Sequence, residues 1–377
     1  MSTHISNIHI KSFRGIGNLS LTDLKKINIL TGDNNSGKTS ILELLTSFSN
    51  PSSFRDWSNL FRLSSSRIRG PISYYEGFYE LFDINSQNKK IEYTIKLNKN
   101  NFNVILSATE LEKEISTKEY FRIIGLSSFD INEDENLLDS PIIVPCLNLK
   151  VEVNSSIKSQ TNIFYGQRTI LQRQRIINSS PIFEDQNKPS KIYISPTRHA
   201  EGDVFLSKVL DNPDLYQEML TVLKEYDENI ISINFDRQSD NYPSSRGTYK
   251  ILSKNHQKAL SLNVYGDGMK KAILLMSAVV AAQDGILLLD ECETAIHTSA
   301  MSKTFEWILK TCIKLNVQLF LTSHSEEAIN KILNCSPDLT NEIALYTLYK
   351  DEEGNSVRRL SGKEAIEVHE NMGLELR

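Results

Sequence analysis

The sequence predicts an α/β protein with a mixed, largely parallel sheet flanked by helices, and three observations predict it. Residues 26–31, 285–289 and 317–322 are short, nearly continuous apolar runs, and each is followed by residues at helical spacing. Strands that are apolar on both faces belong to parallel sheets covered by helices on each side. The first run enters Gly32-Asp-Asn-Asn-Ser-Gly37-Lys38-Thr39, and the second ends on Asp290-Glu291.

Taken in order, Ile8 and Ile10 begin a period-2 strand that turns at Phe13-Arg14-Gly15-Ile16. Residues 26–31 form the next strand, the glycine-bounded loop follows, and residues 40–45 continue as a helix. Residues 91–97 and 104–106 alternate as a hairpin around the polar tip at residues 98–101. Residues 130–139 are acidic and loop-like, and residues 191–195 read as a short buried strand ending at Pro196. Residues 204–226 have helical spacing, interrupted at Asn212-Pro213. Gly266-Asp-Gly268 opens an apolar helix over residues 269–282. After the 285–289 strand come a helix over 299–315, the 317–322 strand, and a helix opened by Ser323-His324-Ser325-Glu326. Residues 344–349 and 357–360 form a late hairpin.

The chain of 377 residues implies about two domains at roughly 150 residues each. Its 42 basic and 47 acidic residues leave a net charge of −5, which argues against a protein that coats nucleic acid by bulk charge. Cys146, Cys292, Cys312 and Cys335 are too dispersed for a zinc site or a disulfide framework. The longest apolar run, residues 272–282, is too short to span a bilayer, and the N-terminus has no apolar signal core. A soluble, cytoplasmic protein with no membrane partner is the expectation.

Gly32-x-x-x-x-Gly37-Lys38-Thr39 has the spacing of a phosphate-binding loop. Backbone N–H groups of Asn34, Asn35, Ser36, Gly37 and Ser40, with the helix N-terminus, offer donors and positive dipole to a polyphosphate. Lys38 is expected at the β- and γ-phosphates and the Thr39 hydroxyl on Mg²⁺. Asp290, at the end of a buried strand, is the second expected Mg²⁺ ligand, and Glu291 the group that orients or deprotonates water. ATP and Mg²⁺ are therefore the expected cofactors.

The order of phosphate loop, long middle, Gly-Asp-Gly segment, Leu-Leu-Leu-Asp-Glu and Thr-Ser-His resembles the head of an ABC-type ATPase, a P-loop NTPase with an added antiparallel β-subdomain. The opening, from Ile8 through Ile16, resembles the RecF, SMC and OLD group, and most closely the OLD-like ATPases of antiphage defence. That group's late Asp-Glu-x-Glu-x-x-x-His pattern is matched by Asp290, Glu291, Glu293 and His297. The resemblance implies an ATPase core split between residues 1–50 and 251–377, with 51–250 as an inserted α+β region carrying parts of the antiparallel subdomain and a mixed α/β lobe. It implies that Gly266 and Gly268 stand in the signature segment that reads the partner subunit's nucleotide, and that His324 is the switch histidine at the γ-phosphate or the attacking water. Gln167, Gln172 and Gln174 are candidates for the glutamine loop by type alone. Arg198 is a candidate nucleotide-sensing or inter-subunit arginine. The basic stretch at residues 166–175 reads either as a solvated helix face or as a contact for phosphates or an acidic partner.

The function so implied is an ATP-hydrolysing subunit that forms a homodimer or higher homo-oligomer around ATP. Family nucleases continue into a TOPRIM domain, whereas this chain stops at Arg377 soon after its last hairpin. The resemblance therefore implies a sensor or scaffold for a separately encoded effector, a TOPRIM- or HNH-type nuclease, as in defence systems of the PARIS or Septu type. A RecF-like repair ATPase that binds duplex DNA is the alternative.

Overall fold

The computed structural model describes residues 4–372 except 49, 63–72, 84–85, 87, 99, 126–138, 169–189, 197–203, 237–247, 295, 297 and 352–353. Its centre is a six-stranded sheet whose inner strand β3 (Ile27–Gly32) is buried on both faces. Strand β13 (Gln318–Thr322) pairs parallel to one side of β3, and β14 (Ile343–Asp351) pairs parallel to the other. Beyond β13 lie β12 (Ile286–Leu289) and β8 (Lys191–Ile194), also parallel. Strand β15 (Gly354–Ser361) closes the opposite edge antiparallel to β14. The expected late hairpin is present, and its first strand also joins the parallel sheet.

Because side chains alternate along a strand, each face of this sheet builds its own core. Ile27, Ile29, Leu287, Leu289, Leu319 and Leu321 face one way. They share a core with several helices, among them α7 (Asp267–Ala281), α8 (Thr298–Lys314) and α9 (Glu326–Asn334). Leu30, Ile286, Leu288, Phe320, Ala344 and Tyr346 face the other way. They meet α1 (Lys38–Ser47) and a second, wholly antiparallel sheet. That sheet runs β2 (Ile16–Leu21), β1 (Ile5–Phe13), β4 (Lys90–Leu97), β5 (Asn100–Ser116), β6 (Pro141–Val153), β7 (Ser156–Phe164). Burial of each such large apolar side chain contributes about 1.5–3 kcal/mol, so both faces of the central sheet are held by packing.

The hairpin expected near residue 98 has a tighter tip, with Leu97 opposite Asn100, and a longer second strand. The break expected at Asn212-Pro213 separates α5 (Leu206–Leu210) from α6 (Pro213–Leu223), and the Asn212 side chain caps α6. A three-stranded sheet of β9 (Ile230–Asp236), β10 (Thr248–Ser253) and β11 (Leu260–Ser261) precedes α7. Much of residues 51–250 is built into these layers: β8 is an edge of the parallel sheet, β4–β7 extend the sheet begun by β1 and β2, and α5 and α6 add to the core on the first face. The remaining helices are α2 (Phe54–Ser58), α3 (Tyr74–Tyr79), α4 (Thr117–Ile124) and α10 (Gly362–Met372). Most of the acidic 130–139 stretch lies outside the described residues.

Candidate nucleotide site

Strand β3 ends at Gly32 with φ +128°, and a Cβ there would lie 2.0 Å from the Leu348 carbonyl oxygen of β14. Glycine is what lets the two strands run side by side to the loop. The loop then turns through two more left-handed residues, Asn35 (φ 63°) and Gly37 (φ 103°). Gly37 caps α1 without a side chain, so the first N–H groups of the helix face the loop opening. Lys38 is buried and folded back over the loop, its Nζ donating to the Gly32 carbonyl at 2.7 Å and the Asp33 carbonyl at 2.8 Å. Burial pushes its pKa below the usual lysine value, and the carboxylates of Asp290 and Asp33 oppose that. A phosphate oxygen is the natural replacement for the two carbonyls.

Asp290 follows β12 and is 1% exposed. Its Oδ1 accepts from Thr39 Oγ1 at 3.1 Å and Thr322 Oγ1 at 2.6 Å, and its Oδ2 accepts from the Tyr193 hydroxyl at 3.3 Å. Burial, then the Asp290 charge, pushes the Tyr193 pKa upward, so the phenol stays a donor. Next in sequence, Glu291 has φ 46°, a left-handed conformation unusual for a non-glycine residue and a recurrent mark of functional sites. Its N–H donates to Thr322 Oγ1 at 2.8 Å, and its half-exposed carboxylate lies 3.9 Å from His324 Nε2. The His324 N–H donates to Glu293 Oε1 at 2.9 Å, which ties the turn after β12 to the turn after β13.

A cleft of about 610 Å³ opens over these groups. Its walls include Asn34, Asn35, Gly37, Lys38, Thr39, Ser40, Glu291 and His324, all expected from the sequence. Gly32 closes the base of the loop, Ser36 is buried within it, and Asp290 lies beneath Thr39. Gly266 and Gly268 begin α7 and do not line this cleft. His297 lies outside the described residues.

Sequence reasoning missed several groups. Arg14, Arg62 and Lys350 also line the cleft, which makes its charge strongly favourable for a polyphosphate. Arg14 and Arg62 both bind Glu43 of α1, Arg62 through two contacts at 3.0 and 3.1 Å. Burial lowers the Arg14 pKa, with Glu43 opposing; for Arg62, burial is outweighed by the Glu43 hydrogen bond and the pKa rises. Arg14 sits inside Phe13-Arg14-Gly15-Ile16, whose local pattern marks a turn and not a phosphate contact, and Arg62 has no local signal.

Of the glutamine candidates, Gln167 is buried beyond β7, where its Oε1 accepts from the Phe164 N–H at 3.0 Å. Gln172, Gln174 and Arg198 lie outside the described residues, as does the basic stretch beyond Arg168. Ser195 and Pro196, following β8, are what stand near Thr39 and Asp290, in an adjoining groove of about 510 Å³. Thr39 and Asp290 offer adjacent hard oxygens beside a helix N-terminus, a donor set that suits Mg²⁺ with its remaining positions filled by phosphate and water.

Known proteins resemble this chain in sequence and in fold. A family profile described as "AAA domain, putative AbiEii toxin, Type IV TA system" matches residues 27–330, which run from β3 into α9. An ATP/GTP phosphatase of Helicobacter pylori is 24% identical over 383 residues, covering 93% of each chain. The DNA replication and repair protein RecF of Saccharophagus degradans is 38% identical over 52 residues, 14% of each chain. An SMC head crystallised with the C-terminal winged-helix domain of ScpA superposes with a TM-score of 0.51 at 10% identity, over 97% of this chain and 99% of that one. The fold is thus the expected one, a P-loop NTPase of the ABC-type ATPase-head class. No helix among the described residues is long and apolar enough to cross a membrane.

Proposed function

The chain belongs to this AAA-domain family, and from that premise we propose that it binds and hydrolyses ATP in the cleft over Gly32–Thr39 and uses the cycle to control a separately encoded effector in antiviral defence. The observation that carries the hydrolytic reading is the Thr39–Asp290 contact at 3.1 Å, with Glu291 turned into the cleft beside His324. Thr39 and Asp290 would hold Mg²⁺, whose charge offsets that of the β- and γ-phosphates. Lys38 exchanges its two carbonyl partners for phosphate oxygens, and the N–H groups of the loop and of α1 bind the rest. Glu291 orients the attacking water and takes its proton, while His324 donates toward the γ-phosphate or that water. Catalysis here is positioning and electrostatic stabilisation of an in-line attack.

The relative named as an ATP/GTP phosphatase supports nucleoside triphosphate hydrolysis along nearly the whole chain. A dimer closed around two nucleotides, each held by one subunit's loop and the partner's Gly266-Asp-Gly268 segment, rests on the order of motifs shared with ABC-type ATPase heads. The defence role and the effector rest on the OLD-like motif Asp290-Glu291-x-Glu293.

Glu291→Gln tests the reading. The variant keeps the backbone contact to Thr322 and loses the base, so ATP binding is retained while hydrolysis falls by about 100-fold or more. Filter binding and phosphate release measure the two, and wild-type turnover in the variant sinks the assignment. A RecF-like repair ATPase is the second reading, on the local RecF match. DNA-stimulated turnover with steep salt dependence would move the assignment there.

A further inference from the structure

The cleft over the phosphate loop is almost entirely polar. Among the described residues its one large apolar side chain is Ile16, beside asparagines, lysines, arginines, Glu291 and His324. Such walls suit phosphates and ribose, but they give a flat base little apolar surface to lie on. A second cavity, of about 290 Å³, adjoins the cleft, with Arg14, Gly15 and Arg62 common to both. Its other walls are of a different kind: the apolar side chains of Phe61, Leu81 and Phe82, with the carboxylates of Glu80 and Asp83.

The cavity is built where the chain after α1 meets the β1–β2 turn. Arg14 donates to the Leu60 carbonyl at 2.6 Å and binds Glu43, which fastens that turn to the segment carrying Phe61. A Cβ at Gly77 of α3 would lie 2.5 Å from the Phe61 ring, so glycine is what lets the ring lie against that helix. Phe61 also meets Phe78 at 5.0 Å and Tyr74 at 5.8 Å, both edge to face, which fixes the ring from the side. Leu81 and Phe82 are buried. Glu80, the residue that ends α3, is exposed, and its carboxylate makes no hydrogen bond or ion pair among the described residues. The order of charge across the two spaces matches a nucleotide. Cations line the cleft and the shared rim, whereas Glu80 and Asp83 line the cavity alone, where a base N–H would find an acceptor.

We propose that this cavity holds the base of the bound nucleotide, an amino-bearing purine whose ring packs against Phe61 and whose exocyclic amine donates to Glu80. Glu80 is then a specificity-determining residue. This rests on a nucleotide occupying the cleft over Gly32–Thr39, the function proposed above.

The test is calorimetric binding to the full chain with Mg²⁺, using two pairs of ligands that differ only in the amine. ATP is set against purine riboside triphosphate, and GTP against inosine triphosphate, with inorganic tripolyphosphate as the ligand without a base. The amine-bearing member is preferred about tenfold, in the first pair if the base is adenine and in the second if it is guanine. Glu80→Ala brings that pair to within about twofold and leaves tripolyphosphate affinity unchanged, whereas a merely structural glutamate would shift all the ligands alike. Glu80→Gln keeps an acceptor oxygen and recovers part of the preference. Equal affinity within both pairs in the wild type, or a preference that survives Glu80→Ala, overturns the proposal. A wild-type chain that binds neither tripolyphosphate nor any nucleotide overturns the proposed function, and this base site with it.

Discussion

Thr322, the last residue of β13, holds one acid of the site by its carboxylate and the next by its backbone N–H, with one hydroxyl. Its Oγ1 donates to Asp290 Oδ1 and accepts from the Glu291 N–H, and the residue is fully buried. Thr322→Val keeps the shape, removes both bonds, and leaves a buried carboxylate oxygen and a buried N–H short of a partner. Unfolding in urea should show a loss of about 1–3 kcal/mol, with slower hydrolysis. Thr322→Ser restores the hydroxyl and should recover most of the turnover, and a valine variant with normal stability and rate would contradict this role. At this scale, the readable part of the site was what lies close in sequence. Lys38, Thr39 and Asp290 were legible because a phosphate loop and a strand-end acid have fixed local spacing. Thr322 and Tyr193 were not, because they reach Asp290 across 32 and 97 residues, and nothing local marks a threonine or tyrosine as facing an acid.

Among the elements, β3 bears the site, and its fit against β14 depends on Gly32. A side chain there meets the Leu348 carbonyl oxygen at 2.0 Å and also requires φ +128°. Gly32→Ala should therefore push β14 away from β3 and cost on the order of 3 kcal/mol or more, read as a lower urea midpoint together with lost ATP binding. An alanine variant of unchanged stability would show that β14 yields without cost. The same burial explains which elements could be foreseen. Strands β3, β12 and β13 are buried on both faces, so they read as continuous apolar runs. Strand β5 has a long exposed, charged second half, and β6 carries prolines at 141 and 145, so neither alternates cleanly enough to be recognised. Strand β8 is legible as a strand, but its place beside β12 is set by long-range parallel pairing that no local pattern encodes.

For the whole molecule, the net charge of −5 concealed a cleft rich in cations, because composition averages over surfaces that the fold keeps apart. The proposed assembly is the least legible level, since a composite site would be completed by residues that do not touch within one chain. Gly266 offers a way to test it without disturbing the fold. A Cβ there meets nothing within 4 Å, its φ of −61° suits any residue, and it caps α7, where aspartate is a favoured cap. Gly266→Asp should leave monomer stability unchanged or slightly raised. In the composite site proposed above, however, it would set a negative charge where the partner's γ-phosphate would dock. Closure is a population shift driven by the affinity of nucleotide for the closed form, so an uncompensated like charge there removes the drive. Light scattering should show Glu291→Gln doubling in mass when ATP is added, and the Glu291→Gln, Gly266→Asp double variant binding ATP as tightly while remaining a monomer. A double variant that still pairs would place the dimer contact elsewhere and leave the start of α7 with a structural role alone.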